Sequence, residues 1–210
     1  MKKTISRRFT AELALFMGLI FAVFTSFARF DAACDDLRQN VLRLHIIANS
    51  NSEADQAVKL LVRDRILSET TDIFTGAAGL ADAEKKAAER IGDIAEYAAE
   101  TLEENGFGYG AAAEIGNSYF ETREYESFTL PAGNYRSLII RLGKAEGKNW
   151  WCVVFPAVCI PAAAPEAELS DSTSRTSAEI AEHPQKYIMR FKAVEIFENF
   201  KKRFDETFGY

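Results

Sequence analysis

In LRLHIIANSNSEADQAVKLLVRDRIL, residues 42–67, a strand pattern passes through a polar turn into a helix pattern, and the rest of the fold is built around these elements. Leu42, Leu44 and Ile46 alternate with other residues, which indicates a β-strand with one firmly buried face. His45 points away from that face. It is interpreted either as a partly covered sheet histidine or as a recognition group, since histidine titrates near neutrality.

A run of polar residues, Asn49-Ser50-Asn51-Ser52, ends this strand. Ser52 precedes Asp55 by three residues, and this spacing predicts that the serine caps the following helix. Turn formation and capping explain these residue types without any further role. Polar side chains where a strand ends and a helix begins also favour contact with a ligand or partner, so both interpretations stay open.

The helix pattern that follows has a wide apolar arc. The opposite face is predicted to carry Gln56, Lys59 and Arg63. Asp64 and Arg65 fall inside the apolar arc, where an unpaired buried charge is unfavourable by several kcal/mol, so both are expected to be paired. An ion pair that ties the helix to the sheet and a contact with a partner both fit this expectation.

Periodicity places the remaining elements. A long helix is predicted over residues 80–105, with Gly106 just beyond its end. Alternating or aromatic-rich segments predict strands over residues 111–120, 124–130, 135–142 and 149–155. Residues 143–148 contain glycine and are expected to form a hairpin between the last two strands. The order of elements indicates an α+β fold: a mainly antiparallel sheet with two helices on one face and an extra C-terminal amphipathic helix.

The predicted organisation has successive parts along the chain. Residues 1–28 are a signal peptide or membrane anchor, 29–40 a connector, 41–160 the folded α+β domain, 161–185 a flexible linker and 186–210 the C-terminal amphipathic helix. The last helix carries an apolar stripe that must be covered. The open face of the sheet, a partner or a membrane surface could each cover it.

The amino terminus has the composition of an export segment. Two lysines and two arginines among the first eight residues precede a charge-free run over residues 13–28. The run is short for a membrane span of about 20 residues, and the Ser-Phe-Ala sequence at its end fits signal peptidase. Cleavage after Ala28 and an uncleaved anchor are both consistent with the pattern. The folded part is expected outside the cytoplasm, secreted or membrane-tethered.

Export bears on the three cysteines, because paired thiols outside the cytoplasm oxidise. Cys152 and Cys159 are close in sequence and could bridge across the end of a strand, so a disulfide between them is predicted, with Cys34 left over. Zinc is not expected, since no set of four ligands can be assembled from nearby sequence. No cofactor is predicted.

Two adjacent tryptophans, Trp150 and Trp151, must face opposite sides of their strand. Only one of them can enter the core from a given face. The other packs beneath the C-terminal segment or presents a partner-binding surface, where large aromatic side chains dominate the binding energy.

Composition and motifs limit the classes of function that fit this sequence. The chain is 48% hydrophobic and 27% charged, and its net charge of -6 includes no basic block, which argues against nucleic acid as a partner. The sequence contains no G-x-S-x-G, H-E-x-x-H, Walker or dinucleotide-binding motif. An exported cell-wall or peptide hydrolase that uses His45 or Cys152 is the enzymatic alternative, although oxidation would disable the thiol.

Two stretches resemble the stage II sporulation protein R family of endospore-forming bacteria: RLHIIANSNSEADQAVKLLVRDRIL, residues 43–67, and NYRSLIIRLGKAEGKNWWCVVFPAVC, residues 134–159. The resemblance implies a signalling protein exported from the forespore into the space between the two membranes. There it would activate a mother-cell membrane aspartic protease that matures pro-sigma-E. Ala157 after Pro156 departs from the family pattern, in which a second proline is expected.

The sequence therefore predicts a protein ligand and not an enzyme, and no residue is assigned a catalytic role. The predicted partner-binding residues are His45, Asn49, Ser50, Asn51, Asp55, Gln56, Lys59, Arg63, Asp64, Arg65, Trp150 and Trp151. Most of those on the turn and helix are expected to be exposed, with Asp64 and Arg65 supporting them. An anchored envelope protein is the structural alternative, in which residues 13–28 would be indispensable.

Overall fold

The computed structural model describes residues 2–125, 127–158 and 169–208. The helices are α1 Lys2–Asn40, α2 Glu53–Glu69, α3 Thr71–Thr75, α4 Leu80–Glu89, α5 Ile91–Glu104, α6 Arg175–Glu182 and α7 Ile188–Phe208. The strands are β1 Leu42–Ile47, β2 Ala111–Phe120, β3 Arg123–Glu124, β4 Thr129–Leu130, β5 Gly133–Leu142 and β6 Asn149–Phe155. Short 3-10 turns cover Leu169–Asp171 and Pro184–Lys186. The α+β class is as predicted.

The main sheet has the strand order β2-β5-β1-β6. β1 runs parallel to β5 and antiparallel to β6, while β2 runs antiparallel to β5. β3 and β4 form a separate two-stranded ribbon. The predicted hairpin between β5 and β6 is wrong, because β1 lies between them and residues 143–148 cross over its end. We call residues 143–148 the crossover loop.

One face of the sheet is covered by α2, α3, α4 and α5. Leu44 and Ile46 of β1 are fully buried there with Val62 of α2 and Ile94 of α5. The single helix predicted over residues 80–105 is in fact two, because Arg90 leaves helical geometry between α4 and α5. This core nevertheless follows the strand and helix periodicity that the sequence displays.

The other face of the sheet is also covered. Leu37 of α1 and Ala178 of α6 are buried against Phe120 of β2 and Val153 of β6, and the β3–β4 ribbon closes the same cluster. This second layer is formed by the end of α1 and by α6, which lie in segments that the sequence predicts as a connector and a linker. The sheet therefore lies between two helical layers rather than under one.

Residues 29–40 are not the polar connector that the sequence predicts, since they form the C-terminal part of α1. Phe30, Ala33, Cys34 and Leu37 have the spacing of one helix face, and all four side chains are buried. Charged residues occupy most of the positions between them, so the segment is polar on average and its short apolar stripe is easily missed.

The predicted linker is partly structured. Its residues 161–168 lie outside the described part of the chain, but a 3-10 turn and α6 follow from Leu169. The carboxylate of Asp36 in α1 accepts hydrogen bonds from the Ser174 backbone N–H at 2.8 Å and from the Ser177 hydroxyl at 2.6 Å. These bonds fix the start of α6 on α1.

The predicted C-terminal helix is confirmed as α7, which packs on α1. Phe191 and Val194 are buried against α1, and Arg190 near the start of α7 bonds Ser26. Further along both helices, Glu198 lies 3.9 Å from Arg38, so α7 and α1 run in the same direction. The predicted apolar stripe does not dock on the sheet. Its large members remain exposed on the opposite side of α7, namely Met189, Ile196, Phe197, Phe200 and Phe204.

Candidate functional site

The polar turn at the end of β1 holds the crossover loop in place. The side-chain oxygen of Asn49 accepts a hydrogen bond from the Lys144 backbone N–H at 3.0 Å. The side-chain oxygen of Asn51 accepts one from the Lys148 backbone N–H at 2.8 Å. These two predicted site residues therefore form hydrogen bonds within the protein, and these bonds stabilise the connection between β5 and β6.

The crossover loop passes very close to the turn at Gly147. The Gly147 backbone N–H donates to the Ala48 carbonyl at 2.8 Å, as in a short continuation of the sheet. A Cβ at Gly147 would lie 2.2 Å from the Ser50 carbonyl oxygen. Only glycine permits this approach, so the loop and the turn form one rigid joint.

Asp55, in the first turn of α2, is the centre of the polar cluster and is only 6% exposed. Its carboxylate accepts hydrogen bonds from the Ser50 hydroxyl at 2.5 Å, from the Asn49 side-chain amide at 3.1 Å and from the Tyr109 hydroxyl. The Asp55 backbone N–H donates to the Ser52 hydroxyl oxygen at 3.1 Å, which confirms the predicted cap. We call these five residues the Asp55 cluster.

These donors determine the ionisation of Asp55. Together they lower its pKa to about 2, with the Ser50 hydroxyl contributing most and Tyr109 next, against the opposing effect of burial. Burial and the adjacent carboxylate raise the pKa of Tyr109. At neutral pH the carboxylate is charged and the phenol is neutral, which is the combination that their hydrogen bond requires.

Lys59 lies beside the cluster on the inner side of α2 and is 5% exposed. Its ammonium donates to the Gln56 side-chain oxygen at 2.7 Å and to the Lys148 carbonyl at 3.1 Å. Burial, as the largest influence, lowers the pKa of Lys59. The predicted exposure of Asp55 and Lys59 is therefore wrong, because hydrogen bonds to the turn and the crossover loop offset the desolvation of both charges.

The side of α2 that faces solvent is more apolar than predicted. Leu60 and Leu61 are 39% and 47% exposed, and Ala57 and Asp64 lie beside them. We call these four residues the outer α2 face. The apolar arc is rotated from its predicted position, since Asp55 and Lys59 occupy the inner side of the helix.

Asp64 and Arg65 consequently lie at the surface, and their predicted position inside the apolar arc is wrong. Asp64 pairs with Arg63 at 2.7 Å, and Arg65 pairs with Glu69 at 3.3 Å. The expectation that both are paired is confirmed, although surface pairs of this kind add little stability.

The two tryptophans face opposite sides of β6, as predicted, and both are half-buried. Trp150 packs on the α2 side, where the Arg63 guanidinium carbon lies 5.0 Å from its ring centroid. Trp151 lies on the other side, where the Arg123 guanidinium carbon is 4.3 Å from its ring centroid. Arg63 thereby connects the outer α2 face with Trp150.

His45 and Cys152 lie on opposite faces of the sheet. In the strand register His45 is opposite Trp151, whereas Cys152 is opposite Leu44 and is buried with it. The Nδ1 atom of His45 is 3.1 Å from the Ser118 hydroxyl, and burial lowers the pKa of His45. Because the two side chains lie on opposite faces of the sheet, His45 cannot serve Cys152 as the base of a nucleophilic pair.

The other two cysteines are Cys34 and Cys159. Cys34 is fully buried in α1, and burial raises its pKa to about 12, which makes a thiol unreactive. Cys159 lies outside the described residues, so the disulfide between Cys152 and Cys159 stays a prediction. Within the described part of the chain, no three His, Cys, Asp or Glu side chains come together as a metal site.

Arg43 is a buried charged residue that the sequence pattern does not single out. It is fully buried on the face opposite the Asp55 cluster, and its guanidinium carbon lies 3.8 Å from the Phe120 ring centroid and 5.0 Å from that of Tyr135. Its Nη2 atom donates to the Tyr125 hydroxyl at 2.5 Å. Its position in an alternating strand shows only that it faces the side of the sheet opposite Leu42 and Leu44. The aromatic rings that enclose it come from segments distant in sequence, so the local pattern does not reveal them.

The amino-terminal half of α1 extends away from both cores. Within the described residues, α1 contains the one helix segment that is long and apolar enough to cross a membrane, near the amino terminus. Its large apolar side chains are exposed from Phe9 to Phe27. Length and composition make this helix compatible with a signal anchor.

These features describe an α+β domain that is joined to an amino-terminal apolar helix and presents an exposed helix face beside a tryptophan. The chain belongs to the stage II sporulation protein R family, whose model matches residues 38–164. It is 34% identical over 118 residues to stage II sporulation protein R of Bacillus subtilis strain 168, and the aligned part covers 56% of this chain and 53% of that protein. The match thus spans about half the length of the curated relative. No solved structure is significantly similar to the chain.

Proposed function

We propose that this chain is an exported sporulation signalling protein that binds a mother-cell membrane aspartic protease and activates it for pro-sigma-E processing. The observation that carries the proposal is the family match over residues 38–164. That range contains the whole main sheet and the helices α2 to α5, and so it includes the outer α2 face. The family's sporulation role applies to this unit, and the protease is its proposed target.

The amino-terminal helix supports export with retention at the membrane. Basic residues before the apolar run favour a cytoplasmic amino terminus, and this orientation supports a domain on the far side of the forespore membrane. α1 continues unbroken past Ala28, and from Phe30 onward it contributes to the folded core. A continuous helix of this kind supports an anchor that remains attached to the domain.

The outer α2 face and Trp150 are the proposed contact surface for the protease. Leu60 and Leu61 are exposed apolar side chains beside an aromatic ring, and such groups commonly supply most of the energy of an interface. Arg63 lies against Trp150 and can hold the ring in position. The Asp55 cluster acts indirectly, because it fixes the start of α2 on the sheet.

Co-expression with the protease and pro-sigma-E, in a host that lacks other sporulation proteins, tests the proposal. Cleavage of pro-sigma-E is expected only when this chain is present. The double substitution Leu60→Ala with Leu61→Ala is expected to reduce the cleavage rate about tenfold or more, since losing an interface hot spot weakens binding by about 2 kcal/mol or more.

A matched control substitutes two exposed apolar residues of α7, Ile196→Ala with Phe197→Ala. This variant is expected to leave cleavage unchanged. Loss of cleavage in the α7 variant alone would move the contact surface to α7. Cleavage without this chain, under the same conditions, would refute the proposed role.

A further inference from the structure

An open cavity lies where α1, α6 and the start of α7 meet. Its volume is about 330 Å³, and its polar lining consists of Thr25, Ser26, Arg29, Thr176, Tyr187 and Arg190. Three hydroxyl side chains, one phenol and two guanidinium groups therefore surround the same space. This cavity lies apart from the outer α2 face and from the Asp55 cluster.

The cavity has a strong excess of positive charge. Arg29 and Arg190 are both among its lining residues, and the described lining contains no acidic side chain. Neither arginine forms an ion pair with any residue in the described part of the chain. Two guanidinium groups without a carboxylate favour an anionic ligand, and phosphate oxygens suit their donor geometry.

Arg190 is held in position before any ligand arrives. Its Nη2 atom donates to the Ser26 hydroxyl at 3.0 Å. Its guanidinium carbon lies 5.5 Å from the Tyr187 ring centroid and 5.9 Å from that of Phe30. One hydrogen bond and two aromatic contacts orient the group, which leaves other N–H donors for a ligand.

The cavity lies at the end of the apolar segment of α1. Phe24 is 73% exposed and Phe27 is 37% exposed, and the polar lining from α1 begins in the same turn of the helix. Ile188 and Met189 at the start of α7 are 64% and 82% exposed. In a bilayer, phosphate groups lie just outside the hydrocarbon region, where tyrosine is also enriched.

We propose, building on the membrane anchor of the proposed function, that this cavity binds the headgroup phosphate of an anionic phospholipid in the outer leaflet beside α1. Arg29 and Arg190 bind the phosphate oxygens, and the hydroxyl groups complete the site. Ile188 and Met189 enter the membrane interface beside it. Residues from the α1 segment before Ala28 form one wall, so the site exists only while that segment remains attached.

Lipid retention by the full chain tests this proposal independently of protease activation. The detergent-solubilised protein is mixed with phosphatidylglycerol or phosphatidylcholine, and bound lipid is measured by native mass spectrometry. Phosphatidylglycerol is expected to bind at one site and phosphatidylcholine much more weakly. The double substitution Arg29→Gln with Arg190→Gln is expected to weaken phosphatidylglycerol binding about twenty-five-fold, since each basic group near an anionic surface contributes roughly a factor of five.

Two further variants separate the site from general charge and from misfolding. Arg29→Lys with Arg190→Lys retains both charges and is expected to keep most of the binding. Lys85→Gln with Lys144→Gln removes two exposed cations elsewhere and is expected to bind like the parent protein. Circular dichroism of each variant, compared with that of the parent protein, verifies that the helices are intact.

Several outcomes would overturn the proposal. Equal retention of the two lipids would remove the requirement for an anionic headgroup. Unchanged phosphatidylglycerol binding in the double glutamine variant would remove Arg29 and Arg190 from the site. Competition by millimolar glycerol phosphate as strong as that by the lipid would assign the cavity to a soluble phosphate instead.

Discussion

The protein buries charge in two different ways, at Asp55 and at Arg43. Asp55 is surrounded by hydrogen-bond donors that stabilise its ionised form. Arg43 is surrounded by aromatic rings, and its Nε and Nη1 atoms have no hydrogen-bond acceptor among the described residues. The comparison indicates that the charge of Asp55 stabilises the fold, whereas Arg43 acts mainly through the volume and shape of its side chain.

The largest effect is expected from Asp55→Ala. This substitution leaves the donors of Asn49, Ser50 and Tyr109 without their acceptor, and it is expected to reduce the free energy of unfolding by about 3 kcal/mol. Urea unfolding of the full chain in detergent, followed by the fluorescence of its two tryptophans, measures the change. Asp64→Ala provides the control: Asp64 is exposed, and its removal is expected to change stability by less than about 0.5 kcal/mol. Equal losses in both variants would contradict a special role for Asp55.

Much of this architecture follows from sequence periodicity. Alternation in β1 and the cap at Ser52 are local properties, because each depends on residues a few positions apart. The α+β class follows from the order of such elements. The same local reasoning also identifies the opposite directions of Trp150 and Trp151.

The polar joint could not be predicted in the same way. Asp55 looks like an exposed residue of a first helical turn, and its burial depends on Tyr109, far away in sequence. Asn49 looks available to a partner, but it binds the crossover loop, whose path depends on the insertion of β1 between β5 and β6. Strand order depends on contacts between distant segments and not on local sequence. It determines which of these polar residues form hydrogen bonds inside the protein.

The buried carboxylate also predicts how stability depends on pH. The folded-state pKa of Asp55 is about 2, against 3.8 for an unperturbed aspartate. Its contribution, about 2 kcal/mol, is fully present above the unfolded pKa and is lost as the pH falls through the folded pKa. The stability difference between the parent protein and Asp55→Asn is therefore expected to shrink by about 1 kcal/mol from pH 6 to pH 3. Urea unfolding at several pH values measures it. A difference that is constant over this range would show that the donors do not stabilise the charged form.

The smallest effect is expected from Arg43→Met. Methionine has a long, flexible and apolar side chain that can fill the same aromatic enclosure, and replacing a buried charge with an apolar group of similar volume is often close to neutral. The free energy of unfolding is expected to change by less than about 1 kcal/mol, because the lost bond to the Tyr125 hydroxyl is offset by the removal of a desolvated charge. The measurement is the same urea unfolding that serves Asp55→Ala, so the two faces of the sheet are compared in one assay. A loss as large as that of Asp55→Ala would show that the guanidinium charge itself stabilises the fold, and the contrast between the two buried charges would then disappear.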